Sequence, residues 1–346
     1  MEAISLAAGL IFGSFANVCI HRIPEGESIV TPRSRCPGCG ALIRWFDNIP
    51  VLSWLLLRAR CRSCRIPIPI VYPLVEAAVG IGFLSAYMVF GPTLDAAAAM
   101  YLVFTCVVLT VIDARHFILP DILTLTGLGA GLAFALARGL TGAPVETENA
   151  DSFWWLGGFF DEPAGPLAAL GGAAVGAAIP LATRAGYMLF RRLSTLFRRP
   201  RRSGGAASSA ESNTGSGDES IRALNTESRE SKGTPGPAGS PEPKGSMDAE
   251  EDDVAQAALE EGMGLGDAKM LAMAGAFLGA RLTLVAILAG SVGGSLLVVP
   301  FLLLTRRGMR TPVPFGPFIA GGALLALFAG GDLASWYSDL IGRWLR

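Results

Sequence analysis

The chain has 346 residues, 51% of them hydrophobic and 16% charged, with a mean hydropathy of +0.47. A soluble globule usually carries about 25% charged residues, so this balance excludes one. A net charge of −1 removes the electrostatic case for nucleic acid as a partner, because phosphate binding needs a clustered surplus of Lys and Arg. The apolar excess lies instead in blocks of bilayer-spanning length, roughly 17–25 residues each. The fold class these blocks define is an all-α polytopic membrane protein, with the lipid bilayer around it.

In chain order the apolar runs predict about eight transmembrane helices, near residues 4–20, 73–90, 95–112, 119–137, 166–190, 263–279, 282–304 and 315–330. The sixth and last are short and Gly-rich. The first has no basic stretch before it and no small-residue cleavage site after it, so it reads as a retained helix and not a signal peptide. Basic residues then set the orientation. Arg22, Arg33, Arg35, Arg44, Arg58, Arg60, Arg62 and Arg65 follow the first run, Arg191 to Arg202 the fifth, and Arg306, Arg307 and Arg310 the seventh. With simple alternation all three clusters share one side, the cytoplasmic one. Glu146, Glu148, Asp151, Asp161 and Glu162 fall on the other, with Trp154 and Trp155 as interfacial aromatics.

Two polar insertions interrupt the helices. The expected divisions are a first transmembrane helix at 1–20, a cytoplasmic tetracysteine domain at 21–72, a membrane part at 73–190, a disordered cytoplasmic linker at 191–262 and a second membrane part at 263–346. The linker is dominated by Ser, Gly, Pro and Glu and cannot bury enough apolar surface to offset its ordering entropy. No internal repeat is evident.

Of the six cysteines, Cys19 and Cys106 sit in apolar runs and read as small core residues. The other four form Cys36-Pro-Gly-Cys39 and Cys61-Arg-Ser-Cys64, with 21 residues between the pairs. Two residues between thiols let both sulfurs of a knuckle face one ion, and two knuckles complete a tetrahedral thiolate shell. No histidine is near, so the ligand set is four cysteines and the fitting metal is Zn²⁺. A closed shell leaves no open position, so this zinc would hold a fold and not activate water. Two disulfides or two redox pairs are the alternatives; a cytoplasmic location disfavours the first, and a redox CxxC usually occurs singly.

Carboxylates at the edge of apolar spans are costly and point to function. Asp113 closes the third span, Asp121 opens the fourth after Pro120, and Asp267 opens the sixth within Gly262-Met263-Gly264-Leu265-Gly266-Asp267. The orientation above puts all three at the cytoplasmic ends of their helices. Two adjacent carboxylates share one proton, which is the chemistry of aspartic peptidases. Asp121 reads more simply as a helix N-cap. Asp113 sits at a helix carboxyl end, where the dipole disfavours negative charge, so capping does not explain it. His116 reads as a surface group, and Lys269, one of three lysines, has no assigned role.

Six motifs in register resemble the bacterial type IV prepilin peptidases, or leader peptidase/N-methyltransferases, of the GxGD membrane aspartic peptidases: "GSFANVCIHRIP", "CPGC" with "RWFDNIPVLSWLLLRARCRSC", "YPLVEAAVG", "VIDARHFILPD", "GMGLGDAKML" and "PFGPFIAGGALLALF". The resemblance covers most of the chain outside about 139–166 and 200–261. It implies that Asp113 and Asp267 are the catalytic aspartates and that Cys36, Cys39, Cys61 and Cys64 bind zinc. It further implies that type IV prepilins or pseudopilins are cut after a glycine at the cytoplasmic face of the inner membrane. The new amino terminus is then methylated from S-adenosylmethionine, a step linked to the 21–72 domain. A GxGD peptidase of other substrates, or a non-catalytic zinc scaffold of a pilus or secretion complex, are the competing expectations. His21 stands where the family commonly has an aromatic, and the 139–166 loop and the linker are longer than usual.

Overall fold

The computed structural model describes residues 1–141, 166–197, 264–305 and 313–344. The linker expected at 191–262 lies outside them except for 191–197, as do the acidic stretch with Trp154 and Trp155 and the arginines of 198–202 and 306–310. The chain forms two compact units, Met1–Tyr187 with Ala258–Arg346 and Met188–Ala257. Of the second, residues 188–197 are described, and they are helical.

In chain order the α-helices are α1 (Glu2–Arg22), α2 (Leu52–Leu56), α3 (Val71–Phe90), α4 (Leu94–His116), α5 (Asp121–Thr141), α6 (Pro166–Phe197), α7 (Leu265–Thr305) and α8 (Gly316–Trp344). All but α2 are long and apolar enough to cross a membrane, seven in all among the described residues. The sequence predicts about eight because α7 contains two runs. Its backbone breaks at Gly279, where φ is 74° and ψ 171°, a conformation open to glycine and costly for other residues. Counted as two, α7 restores eight apolar helical segments. The multi-pass all-α membrane fold stands.

The break reverses the chain. Residues 265–278 start beside the end of α4 and run away from it. Residues 280–305 return antiparallel to α8: a Cβ on Gly330 would meet Leu282, and one on Gly294 would meet Phe318. Along 265–278, Gly127 and Gly131 of α5 lie against Met273 and Phe277 in parallel, and stacked Tyr101 and Phe277 rings, 5.8 Å apart, bring in α4.

Helix α4 is the centre. Leu102, Cys106 and Leu109 belong to a core shared with α7 and α8, while Val103, Val108 and Ile112 belong to one shared with α1 and α3. A helix packed between two cores is apolar on most of its circumference, which the run "AAAAMYLVFTCVVLTVI" satisfies. Cys19 and Cys106 are core residues, as the sequence predicts.

Candidate active site and candidate metal centre

Four helix ends meet at one corner of the bundle. Helix α4 stops at Phe117, whose left-handed backbone (φ 54°) lets its N–H bond back to the Asp113 carbonyl at 2.9 Å. Pro120 then starts α5, and the first turns of α7 and α8 come to the same place. Asp113, one turn before the end of α4, is only 6% exposed. Its Oδ2 accepts the Gly316 N–H at 2.8 Å from the first turn of α8. Asp267, in the first turn of α7 and half-buried, accepts from the Gly264 backbone and is close enough to Asp113 to interact with it electrostatically. The structure therefore brings together the two aspartates that the sequence places about 150 residues apart.

Three helix amino termini, those of α5, α7 and α8, face this corner. Each carries roughly half a positive elementary charge, which favours nearby carboxylates. That offsets the unfavourable carboxyl end of α4 at Asp113.

Asp121 behaves differently from the cap that the sequence predicts. Its carboxylate accepts from the Lys269 Nζ at 2.6 Å, tying the start of α5 to the start of α7. This gives Lys269 a contact that nothing in the local sequence foretells, because the two residues are 148 apart. Beside this pair Gly266 packs so close to Leu119 that a Cβ would come within 3.1 Å of it. His116 is exposed, as expected of a surface group. Gly316 is the site residue that sequence reasoning missed. Its motif was visible in "PFGPF", but a backbone donor leaves no side-chain signal.

The tetracysteine segment sits at this same end of the bundle. It joins the end of α1 to the start of α3, where His21 stacks on Tyr72 with centroids 5.3 Å apart, and Arg115 of α4 lies within electrostatic reach of both rings. Each CxxC is closed by an isolated antiparallel bridge, Arg35 with Leu42 and Arg60 with Pro67. The bonds repeat at an offset of 25 residues. The Cys36 N–H donates to the Ala41 carbonyl and the Cys61 N–H to that of Ile66, both at 2.9 Å. Gly40 and Arg65 hold the equivalent positive-φ positions, at 70° and 62°. This is a repeat that the sequence hides, since little besides the two cysteines and the preceding arginine is shared.

The four sulfurs lie within 4.8 Å of one another, and those of Cys36 and Cys64 are 3.7 Å apart. A tetrahedral shell of Zn–S bonds of about 2.3 Å has an edge of about 3.8 Å, so the cluster fits a four-thiolate metal ion. The amides of Cys64 and Ser63 point at Cys61 and hold its thiol down to about 6. Cys64 is pushed up to about 11, although the Ile66 amide favours its thiolate, because desolvation and the neighbouring sulfurs prevail. Four thiols this close cannot all ionise without a cation among them. An open cleft of about 610 Å³ runs along the second knuckle, lined by Arg58, Arg60, Arg62 and Arg65 with Leu56 and Leu57; neither aspartate borders it.

A buried and a half-buried carboxylate close together at one end of a helix bundle, with a four-cysteine module at that end, define a multi-pass membrane protein with an acidic site. The family described as "Bacterial Peptidase A24 N-terminal domain" matches residues 7–90. A prepilin leader peptidase/N-methyltransferase of Aeromonas hydrophila is 30% identical over 352 residues, covering 95% of this chain and 90% of the relative. One from Burkholderia pseudomallei is 29% identical, covering 95% and 85%. One from Myxococcus xanthus is 50% identical over 132 residues, a shorter match covering 38% of this chain and 39% of the relative. No solved structure matches. The chain belongs to the prepilin leader peptidase/N-methyltransferase family.

Proposed function

We propose that this enzyme removes the leader peptide of type IV prepilins or pseudopilins after a glycine, using Asp113 and Asp267, and then methylates the new amino terminus. The observation that carries the reading is the meeting of these two carboxylates, on helices otherwise apolar, where four helix ends converge. One proton is held between the pair. The ionised carboxylate takes a proton from water as the oxygen attacks the scissile carbonyl carbon. The protonated carboxyl group stabilises the oxygen that becomes negative. Collapse of the tetrahedral intermediate breaks the C–N bond, and the proton taken from water passes to the leaving nitrogen, which becomes the new amino terminus.

The basic residues that follow α1 support the reading that this end of the bundle faces the cytoplasm from the inner membrane. Cys36, Cys39, Cys61 and Cys64 would hold a structural Zn²⁺, whose chemistry is to fix the module and not to react. S-adenosylmethionine supplies an electrophilic methyl group, and the chain's part is to present the freed amine unprotonated.

The test is a synthetic precursor incubated with the purified enzyme and read by product mass. Wild type should yield the shortened, methylated product. Asp113→Asn and Asp267→Asn should leave the precursor intact while still methylating a pre-cleaved peptide. Cleavage by either variant at the wild-type rate would exclude the assignment.

A further inference from the structure

The Asp113 carboxylate makes one hydrogen bond among the described residues, and its donor is a backbone amide on a different helix. That donor is placed by packing of small residues. Where α8 crosses residues 280–305, a Cβ on Gly290 would come within 2.7 Å of the Phe318 carbonyl, and one on Gly322 would strike the Ala286 carbonyl. Small residues permit such backbone contact between membrane helices, and the contact sets helix register tightly. With α8 in this register, the Gly316 N–H meets Asp113 Oδ2 at 2.8 Å. The space is closed as well as bonded: a Cβ on Gly316 would lie 2.6 Å from Asp113 Oδ2 and 2.9 Å from its Cγ. The backbone φ at Gly316 is not in the left-handed region, so the glycine is there for room and not for conformation.

We infer that Gly316 is a positioning residue for the carboxylate pair: its amide fixes Oδ2 of Asp113, and its missing side chain lets the carboxylate stand beside Asp267, leaving Oδ1 to engage water. The inference rests on the aspartyl reading above and adds to it a third helix, α8, as part of the catalytic geometry. A displacement of about 1 Å at a reacting group can cost about 100-fold in rate.

The experiment compares Gly316→Ala with Gly321→Ala, a position on the same helix where a Cβ meets nothing within 4 Å. Cleavage of the synthetic precursor and methylation of a pre-cleaved peptide are followed separately. Gly316→Ala should lower kcat for cleavage by about 100-fold or more with KM little changed, and leave methylation within twofold. Gly321→Ala should leave both at wild-type values. Cleavage by Gly316→Ala within threefold of wild type, or a loss confined to KM, would overturn the inference.

Thermal midpoints supply a readout that survives loss of activity. Gly316→Ala should destabilise the protein when Asp113 is present and much less in an Asp113→Ala background; equal destabilisation in both would show that the effect does not pass through Asp113. Asp113→Asn separates the two claims. Its normal cleavage would sink the aspartyl reading itself, whereas its inactivity beside an active Gly316→Ala would sink only the positioning role.

Discussion

The tetracysteine module and the helix bundle solve the same problem by opposite means. Between residues 23 and 70 only Cys36 and Ser53 are buried, while Trp45, Leu42, Leu55 and Leu56 are largely exposed. Such a segment has almost no apolar core, and modules of this size usually need a metal or disulfides to fold. Its remaining order comes from local hydrogen bonds: Ser53 Oγ donates to the Phe46 carbonyl, and Trp54 Nε1 to that of Ile68. The bundle has two buried clusters around α4 and helices in backbone contact, and it spends that rigidity on holding Asp113 and Asp267 at one point. An ion can organise a surface module. Two carboxylates that share one proton need a packed scaffold.

If that contrast holds, the two activities should separate when each region is damaged. The largest effect is expected from Cys36→Ser or from a strong zinc chelator. Either should release the metal and lower methylation by about 10–100-fold, with cleavage affected much less, as metal content and the two assays would read. Equal loss of both would make the module a general support for the fold.

The joint between the regions comes next. The Glu76 carboxylate of α3 accepts the Val51 N–H at 2.7 Å, and Val51 has a φ of 58°, unusual for a β-branched residue. Glu76→Ala leaves that amide unpaired at a cost of about 1–3 kcal/mol and should depress methylation while zinc stays bound; Glu76→Gln, which keeps an acceptor, should restore much of the loss.

Arg65→Gly should act in the opposite direction. It relieves a left-handed residue at the position where the first knuckle has Gly40, so the thermal midpoint should rise by the equivalent of about 1 kcal/mol. The smallest effect belongs to Asp47, whose carboxylate accepts from Arg62 Nε at 2.9 and 3.1 Å. That hydrogen bond holds the Asp47 carboxyl below its usual 3.8. A depressed value means stabilisation present above about pH 4 and lost as pH falls through it. Asp47→Asn should therefore cost little at neutral pH, less as salt rises, and nothing in acid, by melting curves.

Local pattern carried much of this into the sequence. Apolar runs marked the helices, and CxxC spacing marked the cage, because both depend on near neighbours in the chain. The sixth and seventh segments were legible too, although the structure runs them together as α7 and marks the join only by Gly279. What stayed hidden depends on partners distant in sequence. Asp121 follows a proline at a helix start, so a cap was the simple expectation; only folding brings Lys269 to it. Gly316 was visible as part of a motif, but its donor is the backbone, and backbone chemistry is the same at every non-proline residue. The knuckle repeat escaped because Gly40 and Arg65 share a backbone angle and no side-chain likeness.

The most direct test of the central claim is the cleavage rate of Asp113→Asn, Asp267→Asn and the double variant, measured on one precursor. Groups that act as a single unit lose their function together. Each single variant should therefore be as inactive as the double. Residual rates whose losses multiply, or a single variant that still cuts at the wild-type rate, would contradict a shared-proton pair.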